Sequence, residues 1–154
     1  MNLRTSAVGV VLLISLALAA CAPFTAQGQS SQKSAERLWN KGFRGVTVEG
    51  HHKEDIFLHP SDIHLNFTRD QSQGWIGWGA NCNGYTAPLR IRRNRLKLGV
   101  LSATTEECLL GASRREDTWL SSFFKADPRW HFRENLLVLA TRHRKITFRM
   151  ARLH

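Results

Sequence analysis

The sequence has no Cys-x-x-Cys pair and no regular His-x-x-x-His spacing, so the motifs that announce a zinc site are missing. No Ser-x-x-Lys stands as a credible helix opener, and no cysteine or histidine pattern names a nucleophile with its base. No stretch is long or polar enough for a disordered, collagen-like or coiled-coil reading of the whole chain. Acid is the scarcer charge, with 12 Asp plus Glu against 22 Lys plus Arg in 154 residues. The apolar run from Ala7 to Ala20 has 14 residues, short of the ~20 that a helix needs to cross a bilayer core.

That run follows a start carrying one charge, Arg4, and ends in small residues before Cys21. A basic start, a short apolar segment and small residues read as a signal peptide over residues 1–20. The next stretch, residues 21–34, is small, polar and without periodicity, and reads as a tether. Residues 35–154 are then enough for one domain with its own core. Leu18-Ala19-Ala20-Cys21 resembles the lipobox of bacterial lipoproteins. The resemblance implies cleavage before Cys21 and acylation of that residue, which would hold the protein to membrane lipid. Ala22 is not the Asp that resembles an inner-membrane retention signal, so the expected place is the outer membrane, facing the periplasm.

With Cys21 assigned to lipid, Cys82 and Cys108 remain, and export permits their oxidation. A disulfide between them would close a loop of 27 residues and contribute about 3 kcal/mol. Two buried thiols are the alternative, and a metal pair a weaker one. The donors His51, His52, Glu54, Asp55, His59 and His64 match no regular ligand spacing, so neither a metal nor any other cofactor is expected.

Alternation of apolar and polar residues marks several strands. Val46-Thr-Val48 is one, Ile56-Phe-Leu58 leads to Pro60, and Ile63, Leu65 and Phe67 share a face of the next. Leu89 to Arg92 and Arg95 to Leu98 form an expected hairpin about Arg93-Asn94, with Leu89, Ile91, Leu96 and Leu98 on its apolar face. Trp130 to Phe132, Leu136 to Ala140 and Lys145 to Met150 complete the strand set. One helix interrupts it over Ser113 to Phe124. Glu116 stands at capping-box spacing from Ser113, and Trp119, Leu120, Phe123 and Phe124 form an apolar stripe. The expected fold is α+β, a strongly curved antiparallel β-sheet with the helix on its concave side.

Gly77-Trp-Gly-Ala-Asn-Cys-Asn-Gly-Tyr85, followed by Leu96-Lys-Leu98 and Ser102-Ala-Thr-Thr-Glu-Glu-Cys108, resembles the META domain of HslJ-like bacterial proteins. Cys82, Asn83 and Tyr85 fit the first element of that pattern, and Thr104 with Cys108 the second, whereas Asn81 stands where the family often has Gly. The resemblance runs from about Leu38 to Met150. It implies a compact domain with a strongly bent antiparallel sheet, in envelope proteins loosely linked to stress, with no catalytic residues to carry over.

Two surfaces are candidates for binding. Trp75, Trp78, Asn81, Asn83 and Tyr85 could line a pocket for a glycan, although Asn and Gly at a bend serve equally to cap local amides beside a Cys82 staple. Arg90, Arg92, Arg93, Arg95 and Lys97 form one basic run, and Arg142, Arg144, Lys145, Arg149 and Arg152 another. Given export, lipopolysaccharide, another anionic envelope polymer or an envelope protein is a better partner than nucleic acid. The expected function is therefore non-enzymatic, a lipid-anchored module that binds or stabilises envelope components. A small hydrolase or transferase is the alternative.

Overall fold

The computed structural model describes residues 35–50, 59–105 and 111–151. The expected signal segment, Cys21, the tether, Ile56 to Leu58, Arg152 and Cys108 lie outside them. Nine strands follow the alternation of the sequence: β1 (Lys41–Glu49), β2 (His64–Asp70), β3 (Gln73–Gly79), β4 (Gly84–Arg92), β5 (Arg95–Leu98), β6 (Ser102–Ala103), β7 (Arg129–Arg133), β8 (Leu136–Ala140) and β9 (Lys145–Ala151). A single long helix, α1 (Gly111–Lys125), separates β6 from β7 among the described residues.

The strands pair antiparallel in the order β3-β2-β1-β9-β8-β7-β5-β4, and β3 also pairs with β4, so the sheet closes into an eight-stranded barrel. The two-residue β6 runs beside β4 at Tyr85 and Thr86, where β5 has left off. This corrects the expected curved sheet packed against one main helix. Closure gives each of the eight barrel strands a neighbour on both sides, and the inward side chains of a barrel this size fill it. Phe43, Phe67, Ile76, Leu96, Leu139 and Phe148 are all essentially inaccessible inside it.

The helix therefore acts as a plug. Its first half bonds to the β3–β4 turn, and its second half reaches Arg144 in the β8–β9 turn, so it lies across one mouth of the barrel. Leu120, Phe123 and Phe124 are fully buried, and the Phe124 ring lies 4.5 Å from that of Trp78. At the other mouth Ala35 and Leu38 are buried within one turn, with Trp39 edge-on to Phe67. The apolar stripe of the helix was expected over a sheet face, and it enters the barrel end instead.

Local chemistry explains the register. The β2–β3, β4–β5 and β7–β8 hairpins turn on Gln71-Ser72, Arg93-Asn94 and Glu134-Asn135, the first residue of each having positive φ. That backbone matches the twist of the flanking strands. In β1 the pairing with β9 shifts between Gly45 and Thr47, a bulge that turns Val46 outward, 39% exposed, and returns Val48 toward the core. Gly45 is required there, because a Cβ would sit 2.2 Å from the carbonyl oxygen of Pro60.

The helix already includes Gly111, so Ser113 lies inside it rather than ahead of it. The capping box expected from Ser113 and Glu116 is thereby replaced, and Glu116 is committed to the β3–β4 turn instead.

Candidate functional site

The five residues of the expected pocket part company on β3. Trp75 points outward and is 38% exposed, whereas Trp78, three positions on, points into the barrel and is 1% exposed. Trp78 stacks on Tyr85, its cross-strand partner, at 5.5 Å and 12°. Burial raises the Tyr85 pKa above its ordinary value, and the nearby Asp117 carboxylate adds to the rise.

Asn81, exposed, and Asn83, half-buried, both hydrogen-bond to α1. The Asn81 amide donates to Glu116 Oε2 at 3.1 Å. Asn83 donates to Asp117 Oδ2 twice, from its backbone N–H at 3.1 Å and from Nδ2 at 2.9 Å. Thr104 Oγ1 donates to Asn83 Oδ1 and accepts from the Gly84 amide, both at 3.1 Å. Cys82, between the two asparagines, is disulfide-bonded. The Gly77–Tyr85 segment is thus a clamp that ties the end of β3 to α1, with the buried carboxylates Glu116 and Asp117 as its anchors. Their part in it was not read from the sequence, although Glu116 stands four residues before Leu120 and Asp117 seven before Phe124, on the same face as the apolar stripe.

Beside this clamp, the His64 ring lies over Gly79, where a Cβ would come within 2.7 Å of Cε1. Desolvation lowers the His64 pKa, Arg44 opposite on β1 lowers it further, and a backbone bond at Asp62 opposes both. The unfolded chain therefore takes up the proton first. Stability supplied by neutral His64 should be complete above its ordinary value of 6.5 and be lost as pH falls through the lower folded value. Denaturant titrations on either side of that value should show this slope, and His64→Gln should flatten it.

The described residues contain no group of three or more His, Cys, Asp or Glu that could hold a metal. Cations, by contrast, converge. On the outer face of the β4–β5 hairpin Arg90 stands opposite Lys97, Arg92 opposite Arg95, and Arg95 opposite Arg129 of β7. Like charges set directly across a sheet repel, so this arrangement costs stability. Part of the repulsion is offset by Asp127, whose carboxylate pairs with Lys97 and whose carbonyl accepts from Arg95 at 3.0 Å. Arg90, Arg92 and Arg93 turn toward a second groove, of about 510 Å³, where Arg69 is already paired with Glu36 at 2.8 Å.

A cavity of about 810 Å³ opens between the end of α1 and the β8–β9 turn. It is lined by Arg95, Arg129, Arg142 and Arg144, by His143, and by the hydroxyl-bearing Ser122 and Thr141, with no acidic residue among the described lining. Arg144 is held in place, its guanidinium lying 5.0 Å from the Trp119 ring and donating to Ser122 Oγ at 2.5 Å. Arg142 and Arg144 belong to the second basic run of the sequence and Arg95 to the first. Closure of the barrel joins the runs, and it adds Arg129, which no run contained.

Comparison with known proteins bears on the fold. No curated protein matches the chain. A protein from Burkholderia xenovorans solved by NMR superposes with a TM-score of 0.60 at 14% identity, over 77% of this chain and 87% of that one. A second NMR structure gives 0.56 at 20% identity, over 74% and 92%. Identities this low establish a shared fold alone. The META-domain family model matches residues 36–152, which takes in the whole barrel, its helical plug and the clamp between them. The chain belongs to the META-domain family.

Proposed function

We propose that this protein is a lipid-anchored component of the bacterial cell envelope that works without catalysis, by binding anionic envelope components through one cationic face. The observation that carries this reading is the set of like charges placed directly opposite one another, Arg90 with Lys97 and Arg95 with both Arg92 and Arg129. Such an array costs folding energy, and a negative partner would offset that cost. The signal-like segment and the lipobox-like Leu18–Cys21 supply the address, with acylated Cys21 as the anchor and the outer membrane as its destination. A tether of about a dozen residues would let the face meet polymer or headgroups a short distance from the bilayer. In this reading Cys82 pairs with Cys108, a staple suited to an oxidising compartment, and the protein supports envelope integrity under stress.

The full chain, expressed in a Gram-negative host beside its Cys21→Ser form, tests the reading. The native form should be recovered with the outer membrane, begin at an acylated Cys21 by mass spectrometry, and enrich anionic envelope material from detergent extracts. That enrichment should weaken as salt rises, since the screening length falls from ~10 Å at 0.1 M to ~3 Å at 1 M. Native protein that keeps its first twenty residues, or that enriches no envelope component, would overturn it.

A further inference from the structure

We infer that the groove between the end of α1 and the β8–β9 turn is a binding seat for a phosphomonoester group, carried on a ligand larger than phosphate itself. This rests on the reading of the protein as an anion-binding envelope module, and it names the place and the chemistry. Four guanidinium groups, from Arg95, Arg129, Arg142 and Arg144, border one cavity with two hydroxyl side chains, Ser122 and Thr141. Two of the four are already oriented: Arg95 by its bond to the Asp127 carbonyl, and Arg144 by the Trp119 ring and Ser122. The other two, Arg129 and Arg142, are exposed and form no ion pair with any described residue.

The division of labour suits a dianion. Oriented guanidinium forks lose little freedom on accepting phosphate oxygens, and they match those oxygens two at a time. The two exposed guanidinium groups can close over the remaining oxygen, while the Ser122 and Thr141 hydroxyls, which donate to the Trp119 and Arg144 carbonyls, hold Arg144 in place. A single carboxylate would leave most of this positive charge unmatched. Space settles the rest: about 810 Å³ exceeds what one phosphate fills, and Phe123, Ala126 and Ala140 give the groove an apolar side for the body that carries it.

The test uses the full acylated chain in dodecyl maltoside micelles, with binding followed by calorimetry and by the shift in thermal midpoint. The probes are inorganic phosphate, glycerol 3-phosphate, and micelles containing dioctanoyl phosphatidic acid. Dioctanoyl phosphatidylglycerol, a phosphodiester, serves as the comparison. Phosphatidic acid should bind at least tenfold more tightly than phosphatidylglycerol if the source is a lipid headgroup. If the source is a soluble ester, glycerol 3-phosphate should exceed inorganic phosphate by a similar factor. The double variant Arg129→Gln/Arg142→Gln should lose at least tenfold in affinity for the preferred probe. Arg114→Gln/Arg115→Gln, which removes the same charge from the exposed start of α1, should lose less than twofold.

Equal losses from the two pairs would overturn the groove and leave a diffuse cationic face, with envelope enrichment still to judge the broader reading. Binding of none of the probes by the native chain would also overturn the groove, and an envelope extract still enriched by that chain would show that the broader reading survives it.

Discussion

Replacing Trp78 by alanine is expected to lower the unfolding free energy by about 4 kcal/mol, the largest effect of any single substitution at the plugged end of the barrel. The indole is 1% exposed and sits where sheet and helix meet, stacked on Tyr85 at 5.5 Å and against Phe124 at 4.5 Å. Truncation removes the transfer energy of a large aromatic and leaves a cavity bounded by β3, β4 and α1. Those walls are hydrogen-bonded to one another and cannot collapse into it freely. Trp75→Ala, three residues earlier on the outer face, should cost about 1 kcal/mol or less. Urea unfolding followed by circular dichroism distinguishes the two. The midpoint should fall sharply for Trp78→Ala with little change in slope, and an equal response of both variants would refute the assignment of inward and outward faces.

Those two tryptophans show what the sequence conveys and where it stops. Alternation along Ile63 to Phe67 and across Leu89 to Leu98 locates strands and their buried faces, because period two is a local property of the backbone. Leu89 does pair with Leu98, and Ile91 with Leu96. Closure is not local. An open bent sheet and a barrel share the same alternation, and the bond between β1 and β9 joins segments about a hundred residues apart, from Gly42 with Ala151 to Glu49 with Lys145. The helix was read correctly as amphipathic, yet its partner was misjudged, since a stripe of Leu120, Phe123 and Phe124 fits a barrel mouth as well as a concave sheet.

The same distinction applies to the candidate site. The hairpin run Arg90 to Lys97 is visible as composition, and so is the run from Arg142 onward. Their meeting at one groove is a consequence of barrel closure, and Arg129 enters only because β7 lies beside β5. Ser113 and Glu116 misled in the opposite direction. Their spacing satisfies a local capping rule, but Ser113 lies inside the helix, and a tertiary bond to Asn81 claims the Glu116 carboxylate. A signal was available in hindsight: two adjacent acids early in a helix and two asparagines at a glycine-rich bend are complementary hydrogen-bonding partners.

That complementarity yields the second large effect. Asp117→Ala should destabilise the fold by about 3 kcal/mol, because hydrogen bonds to a charged group contribute about 1.5–3 kcal/mol each and both donors of the half-buried Asn83 lose this acceptor. Asp117 is 4% exposed, and a single oxygen, Oδ2, receives both the backbone N–H and the side-chain amide of Asn83. Asp117→Asn keeps an acceptor of nearly the same shape without the charge, and should cost about 1 kcal/mol. Asn83→Ala removes the side-chain donor but retains the backbone one, so the double variant with Asp117→Ala should be less destabilised than the sum of the two by about 1 kcal/mol. Additive losses would mean that the carboxylate stabilises α1 by some route other than the β3–β4 turn. Hydrogen exchange separates these cases, since loss of the clamp should speed exchange in α1 and at Gly84 while the β8–β9 hairpin keeps its protection.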